Sequence, residues 1–160
     1  MRSLLLIIDV QNDFVNDNTR EYVKKIQHLI DLNKFDNIAF TKFINSENSI
    51  WYKKLEYKGC LNKVGQDIAI NTKNYKVFEK TIYSALNDEL EKYISDNNIE
   101  EIYLCGFDTD ACVQKTALDL FESGYEVMVL KDYCMSHLGF EIHNTIINNL
   151  KRLIGKDSII

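Results

Sequence analysis

The 160-residue sequence contains no proline, only six glycines, and no pair of cysteines in a CxxC motif. Without proline, its turns must be built from glycine, asparagine, aspartate and serine. The spacing of the four cysteines, Cys60, Cys105, Cys112 and Cys134, fits neither a disulfide framework nor a zinc site. Reduced thiols are typical of cytoplasmic proteins, and we predict that location.

The chain also lacks the charge and the apolar runs that define two other classes of protein. Its net charge of -5 and pI near 5.2 argue against nucleic acid as the main partner. No segment approaches the roughly 20 apolar residues of a membrane span. Apolar residues make up 46% of the sequence, which is ordinary for a globular protein. We expect one domain over residues 1–160.

Short apolar runs alternate with amphipathic segments along the chain. Strands are predicted at residues 4–9, 37–43, 75–78, 102–105 and 126–130, with a sixth edge strand at 158–160. Helices are predicted at residues 20–32, 84–97, 111–123 and 140–154. This alternation predicts an α/β fold, a single doubly wound domain of about six parallel strands with helices on both faces.

Three residues with chemically useful side chains follow predicted strands. Asp9 ends the first strand, Lys80 follows the third, and Cys112 opens the helix after the fourth. Because the carboxyl ends of parallel strands meet at one edge of a sheet, we expect all three in one crevice. A thiol at a helix N-terminus faces unpaired N–H groups and the positive end of the dipole, which favours the thiolate. The pattern predicts an enzyme that uses covalent thiol catalysis.

Residues 44–74 form a long irregular segment that is rich in aromatic side chains. A loop of this length is usually functional or contains short helices, and we predict that it forms a lid or wall over Cys112. We place Phe14, Phe43, Asn45 and Trp51 in the substrate pocket, although the aromatic residues could equally belong to the core. His143 is interpreted as structural, and His137 receives no role.

Several motifs together resemble the isochorismatase-like cysteine hydrolases, a family that includes nicotinamidases, N-carbamoylsarcosine amidases and isochorismatases. The matching segments are residues 8–14, 78–80 with Ser84, 106–113, 124–127 and 131–136, with His143 in the last helix. They extend over nearly the whole chain. The resemblance implies a strand order of 3-2-1-4-5-6 and assembly into a dimer or larger homo-oligomer.

The resemblance also implies a catalytic triad of Asp9, Lys80 and Cys112. In it Asp9 is the general base, and Lys80 keeps Asp9 ionised and favours the thiolate of Cys112. The backbone N–H groups of Asp108 and Cys112 would form the oxyanion hole. The family carries a cis peptide bond that corresponds here to Phe107–Asp108.

The sequence departs from the nicotinamidase pattern after the second strand. Nicotinamidases carry an Asp-x-His metal motif there, with a further histidine downstream. This chain has Phe43-Ile44-Asn45 at that place and no histidine between His28 and His137. It therefore resembles the metal-free branch of the family, and we predict neither a catalytic metal nor another cofactor.

These motifs favour a hydrolase that cleaves a small molecule, with a C–N amide-type bond as the favoured target and a covalent thiol intermediate. Two alternatives remain at this point. Isochorismatase-type enzymes hydrolyse a vinyl ether and do not need the cysteine. A non-catalytic domain with the same fold could bind a small molecule or sense redox state through its thiol.

Overall fold

The computed structural model describes all 160 residues. Five parallel strands form one sheet in the order β3-β2-β1-β4-β5. Their bounds are β1 (Ser3–Ile8), β2 (Asn37–Phe43), β3 (Lys76–Lys80), β4 (Glu101–Gly106) and β5 (Glu126–Cys134). The central strand β1 is fully buried from Leu4 to Ile8. Since successive side chains of a strand point to opposite faces, both faces of the sheet are covered at β1.

Six helices accompany the sheet. Their bounds are α1 (Arg20–Asp31), α2 (Ile50–Leu55), α3 (Lys63–Gln66), α4 (Asp88–Asp96), α5 (Gln114–Glu122) and α6 (Phe140–Ile154). The helices α2 and α3 lie in the predicted irregular segment 44–74. The buried apolar side chains form one continuous cluster around the sheet. None of the helices has the length and apolar character that crossing a membrane requires.

The predicted sixth strand at residues 158–160 is wrong. A short 3-10 helix occupies Lys156–Ser158, directly after the turn at Gly155, which has a φ of 97°. Only Ile159 and Ile160 remain beside β5, where they form an isolated parallel bridge at Val129 and two backbone hydrogen bonds. The sheet therefore has five strands, in the order that the resemblance implied for the first five.

Two predicted helices begin elsewhere than the sequence indicated. The helix expected from residue 84 begins at Asp88, because the Asn87 side chain accepts a hydrogen bond from the Leu90 N–H group at 2.9 Å. The helix expected over 111–123 is divided into a π-helical turn, Thr109–Val113, and α5. Cys112 therefore lies inside a π turn, a conformation often found at functional sites.

Candidate active site

Asp9 and Lys80 form a buried ion pair at the carboxyl edge of the sheet. Asp9 follows β1 with a φ of 45°, and Lys80 is the last residue of β3 rather than the first one after it. The Lys80 Nζ atom lies 2.6 Å from Asp9 Oδ2, and the side chains are 2% and 0% exposed. The ammonium group also donates to the carbonyls of Ile82 at 2.9 Å and Tyr83 at 3.1 Å. Its position is thus fixed by the ion pair with Asp9 and by two backbone carbonyls.

Cys112 lies against the same ammonium group. Its Sγ atom is 3.4 Å from Lys80 Nζ, so carboxylate, ammonium and thiol form one cluster. Burial raises the pKa of the Cys112 thiol well above its ordinary value of 9.0, and the Asp9 charge raises it further, while Lys80 opposes both effects. Burial and the Asp9 charge therefore favour the neutral thiol, whereas a helix N-terminus favours the thiolate. A base is needed to activate the thiol.

Burial disfavours the charged form of Lys80, yet this residue keeps its proton. The Asp9 carboxylate and the hydrogen bond to the Cys112 sulfur outweigh the burial effect and raise the pKa of the Lys80 ammonium group above its ordinary value of 10.5. The cluster at rest consists of a carboxylate, an ammonium ion and a neutral thiol. A carboxylate next to a neutral thiol is the arrangement required for general-base activation of a nucleophile.

Thr41 is a site residue that the sequence analysis did not identify. It lies in β2 with 0% exposure, and its hydroxyl donates to Asp9 Oδ1 at 2.6 Å and accepts from the Asp9 N–H group at 3.1 Å. Thr41 therefore fixes the carboxylate oxygen that Lys80 does not hold. The signal in the sequence was a small polar residue directly after the apolar run of residues 38–40 in a buried strand.

The turn between β4 and Cys112 contains the expected cis peptide bond, Phe107–Asp108. Gly106 precedes it with a φ of 116°, and a Cβ atom there would lie 2.1 Å from the Ile8 carbonyl oxygen. Only glycine allows the end of β4 to approach β1 so closely. The Phe107 N–H group donates to that same carbonyl at 2.8 Å, whereas the Asp108 N–H group has no acceptor within the protein.

A cavity of about 200 Å³ opens beside Cys112. Its apolar wall comes from three parts of the chain and consists of Phe14, Phe43, Trp51, Leu55, Tyr57 and Tyr83. The Trp51 ring packs against Phe43 at a centroid distance of 5.8 Å and against Tyr83 at 5.2 Å. Phe14, Phe43 and Trp51 thus lie where the sequence analysis placed them. The segment 44–74 contributes one wall through α2 and Tyr57.

Asn45, by contrast, does not line the cavity. Its side chain is buried, and its amide donates to the carbonyls of Tyr57 at 3.1 Å and Gly59 at 2.9 Å. Its oxygen accepts from the Ser46 N–H group at 2.9 Å and from the Ser49 hydroxyl at 2.6 Å. All of its hydrogen-bonding capacity is used within its own segment, so it shapes the wall rather than contacting a ligand.

His137 is a second cavity residue that the sequence analysis missed. It follows β5, and the rule that placed Asp9 and Cys112 at the carboxyl edge could have found it. Its N–H group donates to Asp108 Oδ1 at 2.9 Å, and its Nδ1 atom contacts Asp108 Oδ2. This hydrogen bond raises the pKa of the His137 imidazole above its ordinary value of 6.5. Asp110 also lines the cavity.

His143 is buried in α6 and lies outside the cavity lining. Its Nδ1 atom is 2.8 Å from the Thr109 hydroxyl, at the start of the π turn. Burial lowers the pKa of the His143 imidazole, so the ring is held neutral. This matches the structural role assigned from sequence.

The donor set does not fit the metal of the nicotinamidase motif. No group of three or more histidine, cysteine, aspartate or glutamate side chains is arranged to hold a metal ion. Asn45 occupies the place of the metal-binding histidine, and its amide is already satisfied by four partners in its own segment.

A parallel α/β sheet that presents a buried carboxylate, ammonium and thiol to a small aromatic cavity has the features of a cysteine-dependent active site. Comparison with known proteins identifies the family of the chain. The isochorismatase domain profile matches residues 3–156. The chain therefore belongs to the isochorismatase family of hydrolases.

Among curated proteins, the chain is similar to two isochorismatase family proteins of Dictyostelium discoideum. It is 44% identical to protein 2A over 61 residues, which are 37% of this chain and 30% of that protein. It is 29% identical to protein 1A over 158 residues, 96% of this chain and 68% of that protein. Among solved structures, a nicotinamidase from Bacillus subtilis is 25% identical with a TM-score of 0.84, and the match covers 97% of both chains.

Proposed function

We propose that this protein hydrolyses a small molecule at a C–N amide-type bond, with Asp9, Lys80 and Cys112 as its catalytic residues. One observation carries the proposal, namely that the Lys80 ammonium contacts both the Asp9 carboxylate at 2.6 Å and the Cys112 sulfur at 3.4 Å. The similarity to a nicotinamidase supports amide chemistry. The chain belongs to the metal-free branch of the family.

The first half of the reaction acylates the thiol. Asp9 removes the proton of Cys112, and the sulfur attacks the carbonyl carbon of the substrate. The N–H groups of Asp108 and Cys112 stabilise the negative charge that develops on the carbonyl oxygen. As the intermediate collapses, the protonated Asp9 returns its proton to the leaving nitrogen, the C–N bond breaks and an amine or ammonia leaves. The acyl group remains on sulfur as a thioester.

The second half releases the acid. A water molecule takes the place of the departed amine, and Asp9, again a carboxylate, removes its proton while the oxygen attacks the thioester. The C–S bond breaks, the proton returns to the sulfur, and the carboxylic acid product leaves. Throughout the cycle Lys80 stabilises whichever neighbour carries the negative charge, first the carboxylate and then the sulfur. Thr41 keeps the carboxylate aimed at the thiol.

The thiol redox-sensing alternative receives no support from the site. Sensor cysteines are accessible and have a low pKa. Cys112 is only 6% exposed, and its thiol pKa is raised rather than lowered. The other three cysteines are free and buried, so none is positioned as an exposed resolving partner.

The test is turnover of a panel of small amides, measured as ammonia release. Wild type should be active, Cys112→Ala and Asp9→Asn should be inactive, and Cys105→Ala should remain active because Cys105 lies in β4 outside the cavity. Intact-mass analysis of quenched reactions should detect one acyl group on wild type and none on Cys112→Ala. Ammonia release by Cys112→Ala at the wild-type rate would contradict the thiol mechanism.

The partner and the location of the protein are part of the same proposal. Apolar side chains are exposed near the cavity. Leu55 of the cavity wall is 63% exposed, and Ile50 and Ile82, which adjoin the cavity residues Trp51 and Tyr83 in sequence, are 60% and 50% exposed. We propose that a second copy of the chain covers them in a homo-oligomer, and that the free thiols are kept reduced in the cytoplasm. A monomeric mass in light scattering at every concentration tested would contradict the oligomer.

A further inference from the structure

Acidic side chains outnumber basic ones in the lining of the cavity beside Cys112. Its lining includes the carboxylates of Asp108 and Asp110 and the imidazole of His137, and it includes no lysine or arginine. Lys80 lies behind the thiol, where its charge is matched by the Asp9 carboxylate. The space that a ligand would occupy therefore has two acidic side chains and one histidine.

One of the two acidic side chains already has a partner. Asp108 accepts the His137 N–H group at 2.9 Å and contacts the His137 ring through its other oxygen. Asp110 forms no ion pair within the protein, and its Oδ1 atom is shielded from solvent without a hydrogen-bond partner. The charge of Asp110 is the one that the protein leaves unmatched at the cavity.

The volume and the apolar wall of the cavity limit the size and the polarity of a ligand. A volume of about 200 Å³ is smaller than the roughly 300–1,000 Å³ of sites for drug-sized ligands. The rings of Phe43, Trp51 and Tyr83 are inclined to one another by 59° and 72° and form an angled apolar wall. A small ligand with an apolar body and one short amide substituent fits this volume.

We propose that the cavity selects small amides that are neutral or positively charged and rejects carboxylates, with Asp110 as the specificity-determining residue. A carboxylate in this cavity would face Asp110 and the Asp108–His137 pair with no basic side chain on the wall to bind it. A cation or hydrogen-bond donor on the ring would complement Asp110. The proposal rests on the hydrolase function proposed above, and it concerns the substrate class of that same site.

Thiol modification tests the charge preference without turnover. Three methanethiosulfonates that transfer an aminoethyl, an ethyl or a sulfonatoethyl group differ chiefly in charge. In each reaction the Cys112 sulfur attacks the sulfenyl sulfur, an S–S bond forms, and methanesulfinate leaves. Intact mass reports one modification, Cys112→Ala gives the background, and reaction with free cysteine corrects for intrinsic reactivity. The aminoethyl reagent should react at least about tenfold faster than the sulfonatoethyl reagent.

Asp110→Asn removes the unmatched charge and should reduce that rate ratio by about tenfold. Glu122→Gln is the matched control, since it changes the net charge equally at the exposed far end of α5. Its ratio should equal that of wild type. Equal corrected rates for the three reagents on wild type would overturn the proposal, and so would a faster sulfonatoethyl reaction. The comparison of the three reagents on wild type tests the charge preference even if Asp110→Asn does not fold.

A substrate series separates this proposal from the hydrolase proposal. Benzamide, 4-(aminomethyl)benzamide and 4-carboxybenzamide share one ring and one scissile amide. The first two should be hydrolysed with a kcat/KM at least about tenfold above the third, and Asp110→Asn should narrow the gap. Hydrolysis that favours the carboxylate overturns the charge preference and leaves the hydrolase intact. The expected order of thiol modification with no hydrolysis of any amide overturns the hydrolase and retains the charge preference.

Discussion

Replacing Lys80 with methionine removes the ammonium group that neutralises Asp9 and leaves a side chain of similar length. The Asp9 carboxylate is 0% exposed, and its remaining side-chain partner is the Thr41 hydroxyl. Removing one partner of a buried ion pair typically costs about 3–5 kcal/mol, because the other charge stays buried without compensation. Against a domain stability of about 5–15 kcal/mol, this is a large fraction of the total. We expect Lys80→Met to unfold at much lower urea concentration than wild type.

A double variant tests whether the buried charge is the cause. Asp9→Asn combined with Lys80→Met removes both charges, so it should be more stable than Lys80→Met alone by about 2 kcal/mol. The control is Lys92→Met, which breaks the exposed pair with Asp96, where the lysine side chain is 74% exposed. It should change stability by less than about 1 kcal/mol.

The measurement is the free energy of unfolding from urea titrations followed by far-ultraviolet circular dichroism. A loss below about 1 kcal/mol for Lys80→Met would refute the reasoning about the buried pair. A double variant less stable than Lys80→Met would refute it as well. High pH provides an independent check, since the pKa of Lys80 is raised. Its stabilising contribution is complete below pH 10.5 and should decline as the pH rises through the higher pKa of the folded state.

Three further predictions concern neighbouring groups. Thr41→Val should lower stability by about 1.5–3 kcal/mol and lower kcat more than KM, while Thr41→Ser should restore both; wild-type turnover in Thr41→Val would exclude a positioning role. The rate of Cys112 alkylation by iodoacetamide should still be rising at pH 9.0, since burial raises the thiol pKa, and a plateau near neutral pH would contradict this. The His137 ring should titrate above 6.5 by NMR, and Asp108→Asn should lower that midpoint; an unchanged midpoint would contradict the Asp108 contact.

The sequence predicted best those features that depend on local patterns. The bounds predicted for the second strand and the last helix match β2 and α6. Asp9, Lys80 and Cys112 come together because strand ends share an edge in a parallel sheet.

The sequence predicted least well those features that depend on side-chain partners across the fold. In the sequence, Asn45 is a polar residue that could bind a ligand. The structure shows that its amide group donates instead to the carbonyls of Tyr57 and Gly59. Thr41 and His137 contact the site through hydrogen bonds to residues 32 and 29 positions away. Such pairings are set by the packing of the sheet and leave no periodic pattern. The prediction of a sixth strand was wrong because the apolar residues Ile159 and Ile160 look the same in the sequence whether they form a strand or only a short bridge to β5.

The segment that Asn45 holds by hydrogen bonds forms one wall of the cavity, whereas the reacting groups come from other parts of the chain. These hydrogen bonds fix the segment that carries Trp51, Leu55 and Tyr57, and this segment contributes no atom to the carboxylate, ammonium and thiol. The helix α2 has no fully buried residue, and Trp51 is its one side chain packed against the core, so changes at its other positions should cost little stability. Mutagenesis libraries confined to residues 50–57 could therefore search for new substrates while the reacting groups stay constant.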